Sequence, residues 1–210
     1  SKSGERGIFN RQAAKNKVAE SGRRDVEHEF GTNPCSEIIL RPYQFCNLTE
    51  VVVRAEDTKE SLQEKVRLAT ILGTFQSTLT NFQYIRNVWK ENTEAERLLG
   101  VSLTGIMDNR LTISPTPNFL RTLRDTAVEC NQLLSSKLGI NQSTAITCVK
   151  PSGTVSQLVD SASGMHTRYS QYYIRTVRMD MKDPLTQLLI DKGVPHEPDV
   201  MKPTDVMVFS

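Results

Sequence analysis

Cysteine and histidine are scarce in this chain of 210 residues, which has four of the first and three of the second. The cysteines form no CxxC pair, and no histidine stands at the spacing of a zinc ligand. These absences argue against a secreted disulfide framework and against a zinc site, so we predict no metal ligands. Cys130 falls on the apolar stripe of a predicted helix and Cys148 at the end of an apolar strand, which predicts packing roles for both.

The chain also lacks a strong net charge and a long apolar run. Twenty-six lysine and arginine residues oppose 24 aspartate and glutamate residues, and the formal net charge of +2 supplies no field that would attract nucleic acid. No run approaches the ~18 consecutive apolar residues of a membrane-spanning helix, and the polar N-terminus has no signal-peptide core. We therefore predict a cytoplasmic protein with neither a nucleic-acid nor a membrane partner.

Strand-like and helix-like segments alternate along the chain, after a polar opening at residues 1–31 that is predicted as a loop at 4–11 and a weak helix at 12–20. The predicted strands are residues 47–53, 101–107, 143–149, 172–179 and 204–209. Helices are predicted after a cap at Asp57 or Thr58, from the end of a turn at residues 114–117 to a stop at Gly139, and from a cap at Asp183 to Gly193. The first of these is expected to turn one stripe to the core: Leu62, Val66, Ala69, Leu72, Phe75, Leu79 and Phe82. Such alternation indicates an α/β fold in a single piece, residues 1–210.

The run Thr32-Asn33-Pro34-Cys35-Ser36-Glu37-Ile38 places three reactive groups at alternate positions. Pro34 favours an extended backbone, and if the run stays extended, Asn33, Cys35 and Glu37 point to one side. A thiol can lose a proton or a hydrogen atom, a carboxylate can accept a proton, and an amide can hold a hydroxyl. This set suits redox or radical chemistry on a polyol. The alternative is a small buried thiol between a turn residue and a solvated glutamate.

A second motif, Lys150-Pro151-Ser152-Gly153-Thr154-Val155-Ser156, follows the strand predicted at 143–149. A strand that passes through a glycine turn into a helix leaves backbone N–H groups free for an anion, and three hydroxyls add to them. The candidate phosphate-binding residues are Pro151, Ser152, Gly153, Thr154, Val155 and Ser156. The alternative is an ordinary strand-to-helix turn, because the motif is neither a Walker loop nor a GxGxxG pattern.

These motifs resemble those of ribonucleotide reductases. Residues 32–46, which end in Tyr43-Gln44-Phe45-Cys46, resemble the active-site finger loop of that family, in detail most like the adenosylcobalamin-dependent, monomeric ribonucleoside-triphosphate reductases. Residues 150–156 resemble its substrate phosphate loop, and residues 164–175 resemble the segment that follows. The three stretches stand in the family's order.

The resemblance implies that ribonucleoside triphosphates are reduced to 2′-deoxyribonucleoside triphosphates for DNA synthesis, with adenosylcobalamin as cofactor and a thioredoxin-like dithiol as reductant. Cys35 would become a thiyl radical that abstracts the 3′ hydrogen, and Glu37 would take the 3′-hydroxyl proton. Asn33 would hold the substrate hydroxyls, and Cys46 would be one of two reducing thiols.

The resemblance also implies a C-terminal part of the ten-stranded α/β barrel of these enzymes, with the finger loop at its centre. The partner thiol of Cys46 would lie in a missing N-terminal part of the same enzyme, so the chain alone is expected to be inactive.

Three alternatives remain open at this point. Iron-dependent and diphosphate-reducing members of the family share the Asn-x-Cys-x-Glu core. The chain could instead bind only nucleotide phosphates and need its missing half for catalysis. A nucleophilic role of Cys35 is disfavoured, because no histidine is placed by the sequence to activate it.

Overall fold

The computed structural model describes residues 7–210, which divide into two compact units, one up to Arg168 and one from Tyr169 to Ser210. Residues 4–6 of the predicted N-terminal loop lie outside the described residues. Helix α1 (Arg11–Ala19) confirms the weak helix predicted at 12–20, and the side chain of Asn10 caps it by accepting a hydrogen bond from the N–H of Ala13.

The first unit is built around two parallel strands. Its strands are β1 (Gly31–Thr32), β2 (Ile39–Leu40), β3 (Asn47–Val52) and β4 (Leu99–Thr104). Its remaining helices are α2 (Lys59–Gln76), α3 (Val88–Glu96), α4 (Arg110–Ile113), α5 (Pro117–Leu138) and α6 (Thr154–Leu158). Strands β3 and β4 pair in parallel from Asn47 opposite Leu99 to Val52 opposite Thr104, with α2 and α3 in the crossover. This connection confirms the α/β class, because parallel neighbours require a long crossover.

Helix α2 packs on this strand pair, and α5 packs against α2 and contributes to the same core. The core comprises Val51, Val53, Leu62, Val66, Ala69, Leu99, Val101, Phe119, Leu123, Ala127 and Ile146. The local end signals predicted for both helices are confirmed, since the hydroxyl of Thr58 caps α2 and Gly139 ends α5 at a φ of 66°.

The stripe predicted for α2 is correct only in its first half. Leu62 and Val66 are buried, but Leu72 is 66% exposed; Leu79, which is 73% exposed, lies beyond the end of α2 at Gln76. Each step of three residues falls about 60° short of a full turn, so a stripe built on such steps drifts off the core face. The face that meets the sheet has small residues instead, and a Cβ added to Gly73 would lie 3.5 Å from the side chain of Leu99.

The prediction of a regular strand at residues 143–149 is wrong. Thr147 forms only an isolated parallel bridge with Val101. The N–H groups of Leu99 and Val101, two residues apart on β4, donate to the carbonyls of the adjacent residues Ala145 and Ile146, at 2.9 and 2.8 Å. This mismatch of one residue breaks the ladder in the manner of a bulge.

The second unit is a small antiparallel sheet with one helix. Its strands β5 (Val177–Asp180), β6 (His196–Pro198) and β7 (Val206–Phe209) lie in the order β5-β7-β6. Helix α7 (Pro184–Asp191) begins at the predicted cap, where Asp183 accepts a hydrogen bond from the N–H of Leu185. The predicted strand 172–179 is shorter than expected.

The described residues form sheets of two and three strands, so a closed barrel is not seen within them. No helix within residues 7–210 is both long and apolar enough to cross a membrane.

Candidate active site

The Asn-x-Cys-x-Glu run forms the tip of a β-hairpin. Strands β1 and β2 pair antiparallel, and the N–H of Ser36 donates to the carbonyl of Asn33 at 3.0 Å. Ser36 has a φ of 64°, which turns the chain back. Residues 33–37 are therefore not extended, and the prediction that they are is wrong. The run bends because proline presets the φ angle that suits a turn.

Asn33 stabilises this hairpin with its side-chain oxygen. The Asn33 Oδ1 atom accepts a hydrogen bond from the N–H of Ile38 at 3.1 Å, and the hydroxyl of Thr32 donates to the carbonyl of Ile38 at 3.0 Å. The oxygen of Asn33 is thus used within the protein. Its amide N–H groups are the part of the side chain that can hold a substrate oxygen.

The carboxylate of Glu37 is buried and only half satisfied. Its side chain is fully shielded from solvent, and Oε1 accepts a hydrogen bond from Nζ of Lys150 at 3.0 Å. Oε2 is buried without a hydrogen-bond partner among the described residues. Burying a carboxylate oxygen without a donor is costly, so this atom is poised to accept a hydrogen bond or a proton from a ligand.

The pKa of Glu37 is lower than that of an ordinary glutamate. Burial is the largest single influence and raises this pKa, but the hydrogen bond from Lys150, the backbone amide of Glu37, the Asn33 side chain and the charge of Lys150 together outweigh it. Glu37 is therefore ionised near neutral pH, which is the state a proton acceptor needs.

Three thiols surround this ion pair. Cys35 is exposed at the tip of the turn, and Cys46 is partly buried just before β3. Burial and then the negative charge of Glu37 raise the pKa of Cys46, so its thiol is protonated. In this form a thiol can supply a hydrogen atom.

Cys148 belongs to the same cluster. The predicted packing role therefore describes only part of what this residue does, because its thiol also lies near Glu37. Burial, and then the charge of Glu37, raise its pKa to about 12. Its Sγ lies 3.0 Å from where a Cβ on Gly100 would stand, so glycine at that position on β4 makes room for the sulfur. Cys130 lies apart, on α5, where its Sγ contacts the carbonyl oxygen of Arg67 at 3.6 Å.

The predicted phosphate loop is present as a turn into α6. Gly153 precedes the helix and is exposed, and a Cβ added there would meet no atom within 4 Å. Ser152 is 4% exposed, and its Oγ is without a hydrogen-bond partner in the described part of the chain. Ser156 differs from expectation, because its hydroxyl is bonded to the carbonyls of Ser152 and Gly153. Open space, free amides and the buried, unpaired hydroxyl of Ser152 remain available to an anion.

The end of β4 holds this loop in place. The Thr104 hydroxyl accepts a hydrogen bond from the N–H of Gly164 at 2.9 Å and donates to the carbonyl of Ala162 at 3.1 Å. Gly164 has a φ of 54°, and a Cβ there would stand 3.2 Å from the carbonyl oxygen of Lys150. The loop therefore lies at the carboxyl end of the parallel strand, where α/β proteins place ligands.

A cavity of about 640 Å³ opens beside Glu37. Cys148 and Val149 line it next to the carboxylate, and Arg23 and Arg124 line it as well. Burial and the charge of Arg124 lower the pKa of Arg23. The volume falls within the usual range for small-molecule sites.

Sequence reasoning missed the roles of Lys150 and Cys148. Lys150 stands at the start of the recognised motif, but no spacing rule connects it with Glu37, 113 residues earlier. Only the approach of the hairpin to the end of the 145–149 segment brings them together.

Comparison with known proteins points to one group of enzymes, although no family model matches the chain. The chain is 31% identical over 98% of its length to the adenosylcobalamin-dependent ribonucleoside-triphosphate reductase of Lactobacillus gasseri. It is 32% identical over 99% of its length to the enzyme of that name from Lacticaseibacillus paracasei. A crystal structure of a B12-dependent (class II) ribonucleotide reductase, 30% identical, matches 85% of the chain with a TM-score of 0.63. The chain is a homologue of these reductases.

The match covers a defined share of the reductases. The chain spans about a third of the length of these relatives, 31% and 32% respectively, and 28% of the crystallised reductase chain. Because the match extends over nearly all of the chain, both the hairpin tip and the phosphate loop lie within the region shared with the reductases.

Proposed function

We propose that this chain carries the radical chemistry of a ribonucleoside-triphosphate reductase, which makes 2′-deoxyribonucleoside triphosphates for DNA synthesis. The contact of 3.0 Å between Glu37 and Lys150 carries the proposal, because it sets the hairpin with its exposed thiol beside the phosphate loop. The names of the relatives support the same reaction. We further propose that the first unit is part of the ten-stranded reductase barrel, with residues 32–46 as its finger loop.

The proposed reaction replaces the 2′-hydroxyl of the ribose by hydrogen. One ribonucleotide and two thiols react to give one deoxyribonucleotide, one disulfide and one water, so the thiols are oxidised as the sugar is reduced. Cys35 exchanges a hydrogen atom with C3′, and Glu37 takes the proton of the 3′-hydroxyl on its unpaired Oε2. Asn33 donates its amide N–H groups to the substrate hydroxyls. Cys46 is one of the two reducing thiols, and its partner comes from a part of the enzyme outside this chain.

The substrate triphosphate is assigned to the loop at residues 151–156. Support comes from the free amides at the start of α6, the buried, unpaired hydroxyl of Ser152 and the open space at Gly153. A ribose held beside Glu37 can reach this loop, because Lys150 is directly followed by its first residue.

Adenosylcobalamin is the proposed cofactor, as in the names of the relatives. The donor set of the cluster fits this assignment, because Cys35 is exposed at the hairpin tip while Cys46 and Cys148 are partly buried. Residues 34–36 of the turn would therefore be the part of the chain that meets the cofactor. When bound, adenosylcobalamin supplies the unpaired electron that side chains cannot generate unaided. A thioredoxin-like dithiol is proposed to restore the reducing thiols after each turnover.

The test is the substitution Cys35→Ser in the full-length protein, with Cys130→Ser as the matched control. We expect Cys35→Ser to abolish deoxynucleotide formation from a ribonucleoside triphosphate with adenosylcobalamin and a dithiol, because a serine O–H bond is too strong to exchange its hydrogen. Nucleotide binding should persist, and Cys130→Ser should remain active. Product formation by Cys35→Ser above a few per cent of the unmodified rate would refute the assignment.

The same assay separates the alternative functions. A full-length protein that binds nucleotide but makes no product with adenosylcobalamin would favour a binding role or a metal-dependent radical source. Faster turnover of a ribonucleoside diphosphate than of the triphosphate would overturn the substrate class.

A further inference from the structure

Lys150 is the cation that faces the buried carboxylate of the proposed active site. Its Nζ atom lies 3.0 Å from Oε1 of Glu37, and its side chain is 30% exposed. The other titratable groups that face Glu37 are the thiols of Cys46 and Cys148. Lys150 also interacts electrostatically with the thiol of Cys35. Within the described residues, the charge of Glu37 is thus balanced by one lysine.

The backbone of Lys150 is fixed independently of its side chain. Its N–H donates to the hydroxyl of Ser102 on β4 at 2.9 Å, and its carbonyl packs closely against Gly164. The ammonium group is therefore presented to Glu37 from a backbone held on both sides. Such fixed support is what keeps a reactive side chain in a productive geometry.

Two roles compete for this lysine. Its place at the start of the phosphate motif suggests a contact with the substrate phosphates. In the structure, however, its ammonium bonds to Glu37, while the loop keeps its own amides and the hydroxyl of Ser152 for an anion. A lysine ammonium has three N–H donors, enough for both Glu37 and a phosphate. The two roles are therefore distinguished by an experiment that measures substrate binding separately from the chemical step.

We propose, on the basis of the reductase function above, that Lys150 is a positioning residue that locks the Glu37 carboxylate in place as the proton acceptor. One carboxylate oxygen is held by the lysine, and the other is left free for the substrate hydroxyl. Lys150 acts through Glu37 and does not itself touch the reacting atoms.

The loss of the ammonium has a defined electrostatic consequence. In Lys150→Met, the hydrogen bond and the charge of the lysine no longer oppose the burial of Glu37, so the pKa of Glu37 rises. Since Glu37 must be ionised to take a proton, the acidic limb of the rate profile moves to higher pH. Lys150→Arg keeps a cation at the position and should retain most of the effect.

The experiment measures kcat and KM of the full-length enzyme for a ribonucleoside triphosphate between about pH 5.5 and pH 9. For Lys150→Met we expect kcat near neutral pH to fall by roughly 100- to 1,000-fold, the range of a disabled acid–base group, with partial recovery as the pH rises. KM should change by less than about threefold. A raised KM with unchanged kcat would assign Lys150 to the phosphates, and an equal loss of kcat at every pH would assign it a purely structural role. Either result overturns the proposal.

A double variant guards against misfolding of Lys150→Met. Combining it with Glu37→Gln leaves no buried charge at the pair, and we expect it to have the same kcat as Glu37→Gln alone, within about threefold, because effects carried by one group are not additive. An independent further loss in the double variant would contradict a role through Glu37.

A readout without turnover separates this proposal from the proposed function. The infrared band of the Glu37 carboxylate, identified by its absence in Glu37→Gln, should titrate at higher pH in Lys150→Met than in the unmodified protein. An unchanged titration refutes the role of Lys150, whereas an unmodified protein that makes no deoxynucleotide refutes the reductase function.

Discussion

The buried ion pair between Arg24 and Glu96 should decide how firmly the active-site hairpin is held. Their side chains are 3% and 6% exposed, and the Arg24 guanidinium donates to both carboxylate oxygens of Glu96, at 3.0 and 2.8 Å. Arg24 also donates to the carbonyl of Ile39 on β2 at 2.7 Å. It thereby ties the hairpin to α3, and we predict that Arg24→Met loosens the hairpin.

The size of the effect follows from the burial of the pair. Removing Arg24 leaves the Glu96 carboxylate buried without its ion-pair partner, although Gln44 still donates a hydrogen bond to it, and the loss of one partner of a buried pair costs about 3–5 kcal/mol. At ~1.4 kcal/mol per factor of ten, hairpin opening should increase roughly 100- to 4,000-fold. A double variant, Arg24→Met with Glu96→Leu, removes the stranded charge and should recover much of this loss, because apolar replacements of a buried pair are well tolerated.

The pH dependence of this contribution has a defined sign. Burial is the largest single influence and raises the pKa of Glu96, but the hydrogen bonds from Arg24 and Gln44 and the charges of Arg24 and Arg41 together outweigh it and lower this pKa. The stabilisation is therefore fully present above the ordinary glutamate pKa of ~4.3 and is lost as the pH falls through the lower pKa of the folded state.

Hydrogen exchange read by mass spectrometry on the full-length protein measures this opening in a peptide that covers residues 31–41. Arg67→Met is the matched control, because the Arg67–Glu64 pair is 46% and 53% exposed and should contribute little to stability. If Arg24→Met left hairpin protection within about threefold of the unmodified protein, the ion pair would not anchor the hairpin.

Two further predictions concern the phosphate loop and the extent of the chain. Gly153→Val should weaken binding of a ribonucleoside triphosphate by at least about tenfold, because the added side chain would occupy the space proposed for the phosphates. The melting temperature should stay nearly unchanged, because an added Cβ meets no protein atom within 4 Å. Calorimetric titration would measure the affinity and thermal melting the stability, and an unchanged affinity would place the phosphates elsewhere. The 210-residue chain on its own should make no deoxynucleotide with adenosylcobalamin and a dithiol, because the proposed partner of Cys46 lies outside it. Repeated turnovers by this chain, assayed against the full-length protein, would show that both reducing thiols are present within it.

Local signals in the sequence determined the helices α1, α2, α5 and α7 and several of their ends. The hydroxyl of Thr58 and the carboxylate of Asp183 begin α2 and α7, and Gly139 ends α5, as predicted. Each of these signals acts on backbone groups within about four residues, so no tertiary contact is needed for it to be read. The motif residues of the candidate site were also evident from the sequence, because their chemical types and spacing are local properties.

Only the tertiary structure decided how those residues meet. The face of α2 that is buried depends on how closely the helix approaches β4, and Gly73 rather than Leu72 fits that approach. The bond between Glu37 and Lys150 joins residues 113 positions apart, and the contribution of Cys148 to the cluster depends on the space left by Gly100. The strength and direction of such contacts come from burial and distance, which arise only once the chain has packed.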